Sequence, residues 1–201
     1  MKTTKLFSIA LILGSVFLGP SVSAQEKMMK KQEKMMKQET KMVGGAEMYP
    51  TKNIVENAVN SKDHTTLVAA VKAADLVDVL SSEGPFTVFA PTNAAFDKLP
   101  KGTVEALVMP ENKEKLQAIL TYHVVAGKWN AVDIAKLIKN GNGKAVIKTV
   151  AGGILTAWNK GKDVYVTDEN GNSAKVTIAD VNQSNGVIHV IDTVLLPGMA
   201  K

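Results

Sequence analysis

The sequence predicts an α+β fold. Three observations lead there: apolar residues recur at helical spacing through the first half of the chain, β-rich runs gather after Asn140, and no strand–helix–strand alternation of the kind a parallel sheet needs is present. A chain of 201 residues, 45% of them hydrophobic, suits one domain with appendages.

The first element is an export signal. Lys2 and Lys5 precede an apolar run from Leu6 to Leu18, and Val22-Ser23-Ala24 supplies small residues before Gln25. That order predicts a cleavable signal peptide over residues 1–24 and a mature protein that is secreted, periplasmic or held at the cell surface. The apolar run is shorter than the roughly 20 residues a spanning helix needs. Cysteine is absent, which excludes disulfides, thiolate metal sites, cysteine nucleophiles and a lipid-bearing cysteine.

Residues 25–48 read as a lysine- and methionine-rich tail or linker. Met28, Met35 and Met42 recur every seven positions, with Met29 and Met36 beside the first two, so on a helix they form one stripe. Thioethers are soft ligands suited to copper(I), which makes these five methionines a candidate metal site. A solvated spacer, or an amphipathic segment resting on a membrane or partner surface, competes with that reading. Gly44-Gly45 ends the segment.

The net charge of +5 belongs mostly to these appendages: residues 1–24 hold two lysines, and residues 25–48 hold six lysines against four glutamates, leaving about +1 for Tyr49–Lys201. All 24 basic residues are lysine, so the bidentate arginine contacts of base recognition are missing and no nucleic-acid partner is expected.

The domain, residues 49–201, begins with Ile54, Val55, Ala58 and Val59 at helical spacing. Thr65 or Thr66 then caps a second helix carrying Leu67, Val68, Val71, Leu76, Val79 and Leu80. Gly84-Pro85 stops it, Phe86–Ala90 reads as a buried strand, and Pro91-Thr92 starts a helical turn with Ala95 and Phe96. Helices are predicted at Gly102–Val108, Glu111–Thr121 and Ala131–Lys139, with a strand at Tyr122–Val125. Strands follow at 145–150, 154–158, 164–167, 174–181 and 187–195, with Gly152-Gly153 and Asn170-Gly171 in turns.

Three segments, GPFTVFAPTNAAF (Gly84–Phe96), TYHVV (Thr121–Val125) and NGVIHVIDTVLLP (Asn185–Pro197), together with LVAAVKAADLVDVL (Leu67–Leu80), resemble the fasciclin-like domain in order and spacing. The resemblance covers residues 53–197. It implies a wedge-shaped β-sandwich with helices packed on one side, and a binding or adhesion module at the cell surface or in the extracellular matrix, including biofilm-like association. It implies no enzyme and no cofactor. Its partner would be a surface or matrix protein or polysaccharide. Some algal members of the family bind carotenoids, so a carrier of an apolar small molecule such as a carotenoid or lipid is the alternative, beside copper binding by the tail.

Tyr122-His123 matches a pair implicated in integrin recognition in some animal relatives. A second such pattern, Pro-Asp-Ile, meets Ala179-Asp180-Val181 and keeps only the aspartate. Tyr122, His123 and Asp180 are therefore the partner-binding candidates. Against this, Tyr and His in an apolar strand often satisfy backbone groups with their polar tips, and Asp180 is placed to anchor the loop 182–186. Thr92 and Asn93 are expected at a helix start, and His189 beside Asp192 or a backbone carbonyl. His64, His123 and His189 lack the spacing of a zinc site. No nucleophile elbow, HExxH or phosphate loop is present.

Overall fold

A computed structural model describes residues 27–29 and 40–198. The segment read as a signal peptide, and Met35 and Met36, lie outside these. Residues 27–29 are helical, with Met28 and Met29 exposed.

The ordered fold begins before Tyr49. Strands β1 (Lys41–Val43) and β2 (Ala46–Met48) pair antiparallel through a Gly44-Gly45 turn in which both glycines have positive φ, +58° and +76°. This is the turn type that Gly-Gly favours between strands. A side chain on Gly44 would also collide with Ser61 and with the backbone of Lys62 and Asp63. Val43 and Met48 are buried in the core, and Lys41 Nζ donates to the Ala179 carbonyl at 2.6 Å. Residues 41–48, expected within the tail, are thus a hairpin of the globular unit. Alternation across so short a hairpin buries one residue per strand, too little to stand out beside the methionine repeat.

Helix α1 (Ile54–Ala58) starts at a reciprocal capping box: Asn53 Oδ1 accepts from Glu56 N at 2.9 Å, and Glu56 Oε2 accepts from Asn53 N at 2.8 Å. The single helix expected over Leu67–Leu80 is two, α2 (Thr65–Ala73) and α3 (Val77–Ser81), because Asp75 takes φ +54° and turns the chain between them. Thr65 opens α2 as a helical residue, not as its cap. Helices α4 (Asn93–Phe96), α5 (Thr103–Leu107), α6 (Lys113–Tyr122) and α7 (Ala131–Asn140) complete the set, with strand β3 (Phe86–Pro91) ahead of α4 and β4 (Val124–Ala126) after α6. The strand expected at Tyr122–Val125 therefore starts later: Tyr122 closes α6 and His123 is its C-cap.

Strands β5 (Lys144–Lys148), β6 (Ile154–Lys160), β7 (Asp163–Thr167), β8 (Ser173–Gln183) and β9 (Gly186–Ile191) extend the sheet in the order β4-β3-β9-β8-β7-β6-β5. Only β3 and β9 are parallel; the other pairs are antiparallel. The long β8 pairs with β7 through its first residues and with β9 through the rest. Its register shifts between Val176 and Ile178 and again between Ile178 and Val181. A bulged strand bends and twists, and this one divides the strands into two layers. One face of β3 and β9 packs Val88, Ala90, Ile188 and Val190 against α1, α2, α3 and α6. Phe89 and Ile191, on the other face, meet Leu155, Ala157 and Val166 of the second layer, with Ile134 and Ile138 of α7. Every residue of β9 is buried, as its continuous apolar run predicts.

Candidate functional site

Tyr122 and His123 point inward. Tyr122 is 0% exposed; its hydroxyl donates to the Ile154 carbonyl at 2.8 Å and accepts from Glu169 N at 3.2 Å. Burial pushes that phenol up to about 12. His123 is 3% exposed. Its Nδ1 lies 2.8 Å from the Ile119 carbonyl, which can only accept, so Nδ1 carries the proton and Nε2 accepts from Leu195 N at 3.0 Å. Burial, working against the Ile119 bond and the Asp168 charge, drops the imidazole to about 4. Both rings are engaged with backbone on every polar atom, with no polar tip left for a partner.

Asp168, which the sequence did not single out, completes this cluster. Its buried carboxylate accepts from Asn170 N, Asn172 N, Asn172 Nδ2 and Leu196 N at 2.8–3.0 Å. It closes the β7–β8 turn and pins the chain beyond β9. The only local signal is the Asp-x-Asn-Gly-Asn turn composition around it.

His189 and Asp180 form the second cluster. His189 Nε2 donates to the Trp129 carbonyl at 2.8 Å and Nδ1 accepts from Asp180 N at 3.3 Å, while the ring stacks on Phe89 with centroids 5.6 Å apart. Burial lowers its pKa. The carbonyl half of the expectation holds; Asp192 is engaged elsewhere, its Oδ1 accepting from Lys175 N at 2.9 Å and from the Thr193 hydroxyl at 3.0 Å. Asp180 sits at φ +54° in the β8 bulge, and its Oδ1 accepts from Ala131 N at 2.6 Å. It therefore serves the first turn of α7, where an anion also meets the positive end of the helix dipole, and not the loop 182–186 as expected. That loop is held by Asn185, whose side chain accepts from Ile54 N and donates to the Leu80 and Ser82 carbonyls.

Thr92 is the N-cap of α4, its hydroxyl accepting from Ala95 N at 3.3 Å. Asn93 acts on a different helix. Its Oδ1 accepts from Thr66 N at 3.0 Å, and its Nδ2 donates to the Lys62 carbonyl and the Thr65 hydroxyl, both at 2.9 Å. It caps α2 from across the fold. His64, also buried, pairs Nδ1 with Ser61 Oγ at 2.8 Å, and burial lowers its pKa. The three histidines occupy separate environments, and among the described residues no three His, Asp or Glu side chains gather as a metal site.

Beneath the helices lies an apolar cavity of about 60 Å³, lined by Val43, Leu67, Val71, Leu120, Val124 and Ile188 among others. Outside, a polar cleft of about 560 Å³ runs beside Gly84-Pro85, between Ser81 and Ser184. No helix among the described residues is long and apolar enough to cross a membrane.

Comparison with known proteins matches this architecture. The profile of the Fasciclin domain covers residues 62–197. The chain is 55% identical over 146 residues to protein sll1483 of Synechocystis sp., covering 73% of this chain and 74% of that one. It is 36% identical over 145 residues to the cell surface glycolipoprotein MPB83 of Mycobacterium bovis, covering 70% of this chain and 58% of MPB83. Among solved structures, a FAS1 domain pair from the insect cell adhesion molecule fasciclin I superposes with a TM-score of 0.65 at 20% identity, over 72% of this chain and 51% of that one.

Proposed function

Because this chain belongs to the fasciclin domain family, we propose that it is an exported, non-catalytic adhesion module that attaches to a macromolecule at the cell surface or in the surrounding matrix. The observation that carries the reading is where its reactive side chains go. His123, His189, Tyr122, Asp168 and Asp180 all hold backbone groups of their own fold. Such a scaffold binds through its outer surface. MPB83 is named as a cell surface protein and the insect domain pair comes from an adhesion molecule, in keeping with the export signal read at residues 1–24. In this reading residues 25–39 link that signal to the domain.

The test is attachment. Beads coated with the protein should adhere to cells of the source organism, and a strain lacking the gene should attach less to surfaces. Unchanged attachment in both assays would refute the reading.

The carrier alternative draws on the apolar cavity. At about 60 Å³, on a measure by which one water needs about 10 to 15 Å³, it has room for a few water molecules and too little for a carotenoid. A carrier would have to part α1 and α2 from the sheet, and a coloured native preparation would reveal it. Copper handling would rest on the exposed Met28, Met29 and Met42 with Met35 and Met36. Equal copper(I) uptake by the chain with and without residues 25–39 would dismiss that role.

A further inference from the structure

The geometry points to the outer face of β5–β8 as a binding surface for an acidic polysaccharide, a uronic-acid polymer; this rests on the adhesion reading and gives it a site and a ligand class. The strand register fixes which residues share that face. Lys144, Trp158, Tyr165 and Lys175 form one cross-strand row, and their neighbours Ala145, Ala157, Val166 and Ala174 are buried beneath. Three inter-strand steps make the row about 14 Å wide.

At its centre Trp158 and Tyr165 stack with ring centroids 4.8 Å apart and planes 19° from parallel. The indole is fixed: Nε1 donates to Thr167 Oγ1 at 2.8 Å, and Thr167 shares a further hydrogen bond with Ser173 at 2.7 Å. Val146 and Ile154, 72% and 44% exposed, continue the apolar ridge. Rigid aromatic side chains offer contact area at little entropic cost, and the C–H faces of pyranose rings are apolar enough to lie against them.

Charge selects the sugar. Lys144, Lys148 and Lys160 stand on this face and make no ion pair among the described residues, while Asp163, opposite Lys160 in the register, is paired with Lys175 at 2.7 Å. Three ammonium groups around an aromatic ridge suit carboxylates spaced along a chain. Lysine meets them as a point charge with no demand for a fixed bidentate geometry. Lys144 and Lys148 also flank the edge strand β5, where charge discourages pairing with a second copy.

The test is binding of the purified full chain to polygalacturonate, neutral dextran, polyglutamate and a single-stranded oligothymidylate. Polygalacturonate should bind tightest, weaken with salt and shift the Trp158 fluorescence in a Trp129→Phe background. The triple variant K144Q/K148Q/K160Q should melt as the parent does yet bind about tenfold less tightly. Equal binding of dextran or polyglutamate, tighter binding of the oligonucleotide, or an unaltered triple variant would overturn the site. Bead attachment that survives the triple substitution removes this site and leaves the adhesion reading standing. Polygalacturonate binding in solution, with no attachment to cells, does the reverse.

Discussion

His123 Nε2 accepts the backbone N–H of Leu195 at 3.0 Å, tying the end of helix α6 to the chain that leaves the central strand β9. The bond exists only while the ring is neutral, since a protonated imidazole has no acceptor.

Acid should therefore destabilise the fold well before its carboxylates titrate fully. The folded pKa of His123, about 4, lies below its ordinary 6.5, so between these values the unfolded chain holds the extra proton and stability falls as pH is lowered. A gap of that size is worth about 3 kcal/mol, fully present above pH 6.5 and lost by pH 4. His64 and His189 are lowered in the same direction and add to the loss. Urea midpoints measured from pH 7 down to pH 4 should fall steadily in the parent and more shallowly in His123→Gln, which is less stable at pH 7. A flat profile would contradict the neutral, buried assignment.

The central strand and the edges of the site differ in how well the sequence announces them. A short continuous run such as Val187–Ile191, rich in β-branched residues and bounded by Gly186, reads as a strand buried on both faces, and it is. Thr121–Val125 is ambiguous: its apolar residues fit a strand or the end of a helix equally, and the i−3 bond from His123 N to the Leu120 carbonyl settles it in favour of a helix end. Asp180 and Asn93 were visible as polar residues near turns, yet their partners lie 49 and 27 residues away. No local pattern encodes a cap supplied across the fold.

Asn93 makes a sharp case. Three hydrogen bonds run from its amide to the start of α2. Asn93→Ala removes all of them and should cost about 2 to 3 kcal/mol, while Asn93→Asp keeps only the acceptor and should cost about 1 to 2. Thermal unfolding checks the ranking; equal losses would mean that the donor side of the amide contributes nothing.

Truncation separates the tail from the hairpin. Removing residues 25–39 should leave the unfolding midpoint unchanged. Removing residues 25–48 strips Val43 and Met48 from the core, and each buried side chain of this kind is worth about 1.5 to 3 kcal/mol. A loss of about 3 to 6 kcal/mol would consume much of the roughly 5 to 15 kcal/mol typical of a domain. Equal stability of the two truncations would return residues 41–48 to the tail.

Asp180 decides between architecture and recognition. As a cap for α7 it supplies an acceptor oxygen, tolerance of its φ of +54° and a charge at the positive end of the helix, and asparagine keeps the first two. Asp180→Asn should thus lose only the charge at the helix end and cost about 0.3 to 1 kcal/mol. Asp180→Ala, which loses the cap and keeps the strained backbone, should cost about 2 kcal/mol. A partner that reads the carboxylate charge would treat the two variants alike and release both. The architectural role instead predicts that bead attachment in Asp180→Asn matches the parent, because the charge is aimed at Ala131 N inside the fold. Lost attachment in this variant at unchanged stability would return the residue to the binding surface.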